Sequence, residues 1–129
     1  MNDVGYVLDA SALLAAMLGE PGAQTVEARF AEACISTVNL SEVVAKLSER
    51  GVPDPVIQES LADLDLDVRD FDTAQALRAG ALRNATRALG LSLGDRACLA
   101  LAMELNAVVL TTDAAWVAGD FGVAVELAR

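Results

Sequence analysis

The spacing of apolar positions changes period several times along the chain, and each change predicts an element. Tyr6-Val7-Leu8 is a short β-rich apolar run that stops at Asp9, which reads as a buried first strand with an acid at its carboxyl end. Ser11 to Leu18 is apolar around most of its circumference, as in a short helix packed on a sheet, and Gly19, Pro21 and Gly22 break it. A second helix is expected from about Ala23 to Ala33, with Val26, Phe30 and Ala33 on one face, leading into Cys34-Ile35-Ser36 as the second strand. Thr37 or Asn39 is the expected cap of the next helix, about Leu40 to Glu49, which Gly51 and Pro53 end. Val56, Ile57, Leu61 and Leu64 then mark an amphipathic helix opened by Pro53. Leu66, Val68 and Phe71 alternate among Asp63, Asp65, Asp67, Asp70 and Asp72, predicting a strand with a solvated acidic face. The longest helical signal runs from about Thr73 to Leu89, with Gly90 as its stop. Ser92 then opens an almost wholly apolar helix that Asn106 ends. Val108 to Leu110 follows as a parallel strand, Asp113 begins a last helix through Trp116, and Val123 to Leu127 is a final strand. Strands alternating with helices over short connections predict an α/β fold, a three-layer sandwich around a mostly parallel sheet, with residues 1–129 as one domain.

Composition narrows this further. Of the 129 residues 54% are hydrophobic and only 4% aromatic, so the core is expected to consist of small-residue helices lying close to the sheet. Cys34 and Cys98 lack CxxC spacing and read as buried free thiols in a reducing compartment. The first residues lack the basic and apolar regions of a signal peptide, and no apolar run reaches membrane-spanning length. A cytoplasmic protein without a membrane partner is expected. The chain has no histidine, which removes histidine general bases, Ser-His-Asp triads and His-rich zinc sites together. A formal charge of −10 argues against broad attraction to nucleic acid or anionic lipid. A nucleic-acid substrate stays open, because a carboxylate cluster that holds cations adds to this count when written without them.

Four acids stand at the edges of apolar elements: Asp9 after the first strand, Glu42 in the first turn of the helix after the second, Asp95 opening the apolar helix, and Asp113 after Val108 to Thr112. Ligands of open α/β sheets bind outside the carboxyl ends of the strands, so these acids are candidates to converge on one metal. Carboxylates without histidine or thiolate ligands select hard cations such as Mg²⁺ or Mn²⁺, which suit phosphodiester hydrolysis. Ser92 can cap its helix and leave Asp95 free to point outward, while Ser11 and Thr111 can fix the carboxylates beside them. The alternative is that the acids are ordinary caps and surface charges. Lys46, four residues after Glu42, either belongs to an exposed salt-bridge stripe or meets a phosphate. Arg83 and Arg87 share a helix face, where they answer the helix dipole or, as the lesser alternative, guide a phosphate backbone.

Together, Val7-Leu8-Asp9-Ala10-Ser11, Ser41-Glu42-Val43, the run from Leu91 to Ala100 around Gly94-Asp95-Arg96, and Leu110-Thr111-Thr112-Asp113-Ala114-Ala115-Trp116 resemble the motifs of PIN-domain ribonucleases, specifically VapC-type toxins of bacterial toxin-antitoxin pairs. The resemblance spans essentially the whole chain. It implies a PIN-like α/β/α sandwich over residues 1–129 and an endoribonuclease using Mg²⁺ or Mn²⁺. It also implies a homodimer restrained by a VapB-type antitoxin whose basic tail covers the acidic site. Carried over by residue, Asp9, Glu42 and Asp95 match the central metal-binding acids, Asp113 the fourth, and Thr111 the hydroxyl two positions before it; Arg96 fits the pattern beside Asp95, as an RNA contact or equally as a member of a structural ion pair. Many relatives carry a basic residue where this chain has Ala114, so substrate contact at that edge differs. A non-catalytic PIN-like module binding RNA or protein is the competing class. A phosphatase with Asp9 as nucleophile would need a second acid where Ser11 stands.

Overall fold

Five strands form one sheet in the computed structural model, which describes residues 4–129. β1 (Tyr6–Leu8), β2 (Ala33–Ser36), β3 (Asp67–Arg69), β4 (Val108–Thr111) and β5 (Val125–Leu127) are ordered β3-β2-β1-β4-β5, and every neighbouring pair is parallel. Period-two alternation sorts the central strands onto two faces. Leu8, Ile35 and Leu110 stand in register and enter one core, while Val7, Cys34 and Val109 enter the other.

The first face is covered by α1 (Ala10–Leu18), α2 (Ala23–Arg29), α3 (Thr37–Glu49) and α4 (Asp54–Leu64), which contribute Leu13, Val26, Val43 and Ile57 to that core. The second is covered by α6 (Leu93–Leu105), with α5 (Thr73–Thr86) packed on it. An exposed helix buries one stripe, but Ala97 through Ala102 are all buried, because α6 meets the sheet, α5 and α3 together. The result is the expected α/β/α sandwich, with a sheet that is parallel throughout rather than mostly so.

Four local expectations are corrected. α2 stops at Arg29 and gives way to a 3-10 turn, Phe30–Glu32, because pairing with Tyr6 draws Ala33 into β2. Ser36, not Thr37 or Asn39, caps α3, its Oγ accepting from Val38 N at 3.2 Å. The helix therefore starts directly at the strand end, and Glu42 lies in its second turn rather than its first. The expected last helix is a 3-10 turn, Ala114–Ala118, capped by Asp113.

Cys34 and Cys98 are free and buried as expected, and burial pushes the Cys34 thiol up to about 12. Among the described residues no helix is long and apolar enough to cross a membrane. For the site, the decisive feature is topological. The chain winds outward from β1 through β2 to β3, then crosses back to β4 on the other side of β1. Strand order thus reverses between β1 and β4, the point at which open parallel sheets take their ligands, in the crevice outside the carboxyl ends of the strands.

Candidate functional site

Asp9 floors that crevice. It caps α1 in extended geometry and is 4% exposed. Its Oδ1 accepts from Ser11 Oγ at 2.7 Å and from Ala12 N at 2.9 Å, and its Oδ2 accepts from Thr111 Oγ1 at 2.5 Å. The two hydroxyls are themselves fixed by the end of β4, since Thr112 N donates to Ser11 Oγ at 3.0 Å and Asp113 N to Thr111 Oγ1 at 3.0 Å. Each hydroxyl has one hydrogen, and both hydrogens are committed to Asp9, so the 3.2 Å approach of Ser11 Oγ to Thr111 Oγ1 is a contact of two oxygens. Oδ1 is saturated, which leaves Oδ2 the oxygen with a lone pair to offer. Burial raises the Asp9 carboxyl above its ordinary value, the bonds from Thr111, Ser11 and Ala12 pull it back, and the nearby charge of Asp95 pushes it up again.

Glu42 enters from α3. Burial is again the main cause raising its carboxyl; a hydrogen bond from Asn39 opposes this, Asp95 adds to it, and Lys46 opposes it. Asn39 carries a role that its reading as a cap concealed. It is 1% exposed, and its Nδ2 donates to Glu42 Oε1 at 2.9 Å and to the Gly94 carbonyl of α6 at 3.0 Å. Both partners only accept, which fixes the orientation of the amide and leaves its buried Oδ1 without a partner. Gly94 completes the seam between α3 and α6: a Cβ there would fall onto the Glu42 carboxylate. Glycine costs about 1 kcal/mol of helix propensity, and here it makes room for an acid. The sequence signal for Asn39 was its place three residues before Glu42 on one helix face.

Asp95 comes from the first turn of α6 and is partly buried. The expectation that Ser92 would free it is corrected, because the two residues form a capping box: Ser92 Oγ accepts from Asp95 N at 3.2 Å, and Asp95 Oδ2 accepts from Ser92 N at 3.0 Å. Asp113 is exposed at the rim; its Oδ1 accepts from Ala115 N at 3.0 Å, and it reaches Asp9 only through Thr111. Lys46 is exposed with its charge acting on Glu42, whereas Arg96 turns its Nη1 to the Ala79 carbonyl at 2.9 Å and ties α6 to α5. Beneath the acids lies Cys98, fully buried, its thiol raised first by burial and then by Asp9, Asp95 and, after Cys34, Glu42.

The fold thus brings the charge of Asp95 to bear on both Asp9 and Glu42, from three elements, with Asp113 at the edge. As the side chains lie, no group of three or more Asp, Glu or Cys among the described residues is close enough to hold a metal ion. The donor set is nevertheless all oxygen, and none of these acids forms an ion pair among the described residues. An all-oxygen donor set suits a hard divalent cation; Asp9 and Glu42 are oriented by side-chain donors, and Asp95 has one oxygen engaged by Ser92 N.

A family model described as PIN domain matches residues 6–121. Comparison with curated proteins returns no match. Among solved structures, the chain is similar to a toxin-antitoxin complex from Klebsiella pneumoniae, with 23% identity over 97% of this chain and 98% of that one and a TM-score of 0.77. It is also similar to DNA-bound VapBC from Salmonella typhimurium (18% identity, 98% and 99% covered, TM-score 0.72) and to VapBC-5 from Mycobacterium tuberculosis (21%, 98% and 98%, 0.63). At these identities the likeness is one of fold.

Because the Asp9 and Glu42 carboxyls are raised, their protonated forms favour the folded state. That stability is present below about pH 4, where unfolded carboxyls protonate, and is lost as pH rises through the folded values. Asp9→Asn keeps an oxygen for Ala12 N and removes the buried charge. In metal-free calorimetry it is expected to melt above the wild type at neutral pH, with the gap closing on acidification. A variant that melts lower at neutral pH would mean that the hydrogen bonds to the ionised Asp9 outweigh its burial.

Proposed function

Because this chain belongs to the PIN domain family, we propose that it is a metal-dependent endoribonuclease, the VapC-type toxin of a toxin-antitoxin pair. The observation that carries this reading is the convergence of Asp9, Glu42 and Asp95, two of them pushed upward by burial and by the charge of the third, with no ion pair among the described residues to relieve them. A cation is what such a cluster lacks. Asp9, Glu42 and Asp95 would hold Mg²⁺ or Mn²⁺, with Asp113 closing the rim. The bound ion supplies the acidity that activates water and the positive charge that meets a phosphate. The chain's own contribution is positional. Ser11 and Thr111 aim Asp9, Asn39 aims Glu42, and the Ser92 box sets how far Asp95 can turn.

The solved VapBC structures support a partner of the VapB type, and a basic tail would suit the acidic crevice. The same reading takes the protein as a homodimer. One set of observations favours the non-catalytic module instead: Asp9, Asp95 and Asp113 each already serve a backbone N–H as caps. Each does so with one oxygen; the other accepts from Thr111 in Asp9 and makes no hydrogen bond within the described residues in Asp95 and Asp113.

Purified protein is expected to cleave RNA with Mg²⁺ or Mn²⁺ and to stop when the ion is chelated. Undiminished cleavage in excess EDTA would overturn the mechanism, and RNA binding without cleavage at any metal concentration would favour the module. Gly94→Ala drives a methyl into the Glu42 carboxylate, the mobile end of its side chain. It should therefore fold yet bind Mn²⁺ about 10–100-fold more weakly by calorimetry, within the range seen when positioning contacts are lost. Gly80→Ala, whose Cβ meets nothing within 4 Å, is the control expected to leave Mn²⁺ affinity unchanged.

For the partner, an arginine or lysine placed among Asp9, Glu42 and Asp95 neutralises the charge that the metal neutralises, so the two compete. A basic tail peptide should bind more weakly as Mg²⁺ rises at constant ionic strength, and more weakly to Asp95→Asn. An affinity indifferent to both places the tail elsewhere.

A further inference from the structure

Charge is strongly segregated along this chain. From Thr73 to Gly94 there are three arginines and no acid, while the remaining residues carry six cations against nineteen acids. The structure turns that run into one body: α5, the 3-10 turn Arg87–Leu89, a tight reversal at Gly90 with φ 67°, and the first turn of α6. Arg29, Arg50 and Arg69 are each paired with an acid, at Glu126, Glu20 and Asp67. Arg83 and Arg87 are exposed and, among the described residues, form no ion pair; the one side-chain bond between them and the rest is Arg87 Nη2 to Asn84 Oδ1 at 3.2 Å.

Their placement is directional. Gln75, Ala79 and Thr86 mark the buried face of α5, and on that wheel Arg83 and Arg87, four residues apart, leave from one flank about 6 Å from each other along the axis. Arg78 leaves from the opposite flank, where it lines a cavity of about 300 Å³ beside Glu104. The pair therefore stands at the end of α5 from which the chain turns within residues 90–92 into Ser92 and Asp95. We propose that Arg83 and Arg87 form a phosphate track that leads single-stranded RNA along the end of α5 into the acidic crevice. This deepens the ribonuclease reading and rests on it. The track answers a difficulty of that reading, since a crevice of carboxylates repels the backbone it is meant to cut, and two guanidiniums at the neighbouring end of α5 offer that backbone a local attraction. No aromatic ring is among these residues, so the contact reads backbone rather than base sequence.

The rival role is purely structural, since arginines near a helix C-terminus also answer its dipole. The two separate in salt. Full-length Asp95→Asn protein, to prevent cleavage, would be titrated with a fluorescent unstructured oligouridylate at constant Mg²⁺ and rising monovalent salt, with and without Arg83→Gln/Arg87→Gln. Each phosphate contact to a single strand contributes about 0.7 to the slope of log affinity against log salt. The pair should therefore lower the slope by about 1.4, so that across a fourfold rise in salt the parent loses about sevenfold more affinity than the double variant. Arg50→Gln, which removes a cation already paired with Glu20, should leave the slope unchanged. Equal slopes for parent and double variant overturn the track and leave the dipole role. Equal slopes together with lost binding of an oligoglutamate peptide would make the surface a dock for an acidic protein and overturn it as well. A parent that binds no RNA, from a wild type that cuts none, brings down the ribonuclease reading and the track with it.

Discussion

A buried carboxylate at the reversal of strand order is the constraint on which the rest of the site depends. Asp9 lies at 4% exposure between the ends of β1 and β4, where an ionised group survives only if every nearby donor is turned toward it. The local sequence supplies those donors in pairs: Ser11 and Ala12 from α1, Thr111 from β4, with Thr112 N and Asp113 N fixing the two hydroxyls in turn. The network joins β1, α1 and β4 through side chains where the sheet joins them through backbone. It also decides what remains chemically available, because after the bonds are counted one oxygen of Asp9 has a free lone pair.

Capping and chemistry are compatible here because each role needs a different oxygen. Helices that follow parallel strands begin at the carboxyl edge of the sheet, and their free N–H groups face the crevice. Acids placed there are stabilised by those groups before any cation arrives. Asp9 serves α1, Asp95 serves the start of α6, and Asp113 serves the turn after β4. Glu42 is the exception. It lies beyond the first turn of α3 and is held from the side by Asn39, whose second bond reaches the Gly94 carbonyl. The seam between α3 and α6 thus depends on an amide and on the missing side chain of Gly94.

Much of this was legible in the sequence, and the gaps have physical causes. Strands such as Tyr6–Leu8 and Val108–Thr111 stood out because a strand buried on both faces is a continuous apolar run ended by a polar residue. The limits of α2 were not legible: Phe30 and Ala33 keep helical spacing, and only pairing with β1 pulls Ala33 into a strand. Capping misled twice for one reason. Ser36, Thr37 and Asn39 are all competent caps, as are Ser92 and Asp95 for each other, and spacing alone does not say which side chain bonds which N–H. Asn39 was therefore assigned to the helix end when tertiary packing had claimed it for Glu42. Asp9, Asp95 and Asp113 stood out because each sits at an element edge, and Glu42 because it follows the second strand, but whether their side chains close into a cage depends on rotamers, which periodicity does not encode.

The charge of −10 is unevenly spread, with the acid-free run from Thr73 to Gly94 set apart from the nineteen acids. On the proposed function, a basic peptide and a cation seek the carboxylates, while a phosphate backbone seeks the arginines of the acid-free run from Thr73 to Gly94. The two regions meet where the chain reverses at Gly90 before Ser92. A tail that fills the crevice removes the cation and also places its own positive charge beside Arg83 and Arg87, where like-charge repulsion limits how far it can extend toward α5. The more of the crevice a tail neutralises, the less reason it has to cover the arginines, so inhibition by such a tail should leave the mouth of the site open to RNA binding while cutting is blocked.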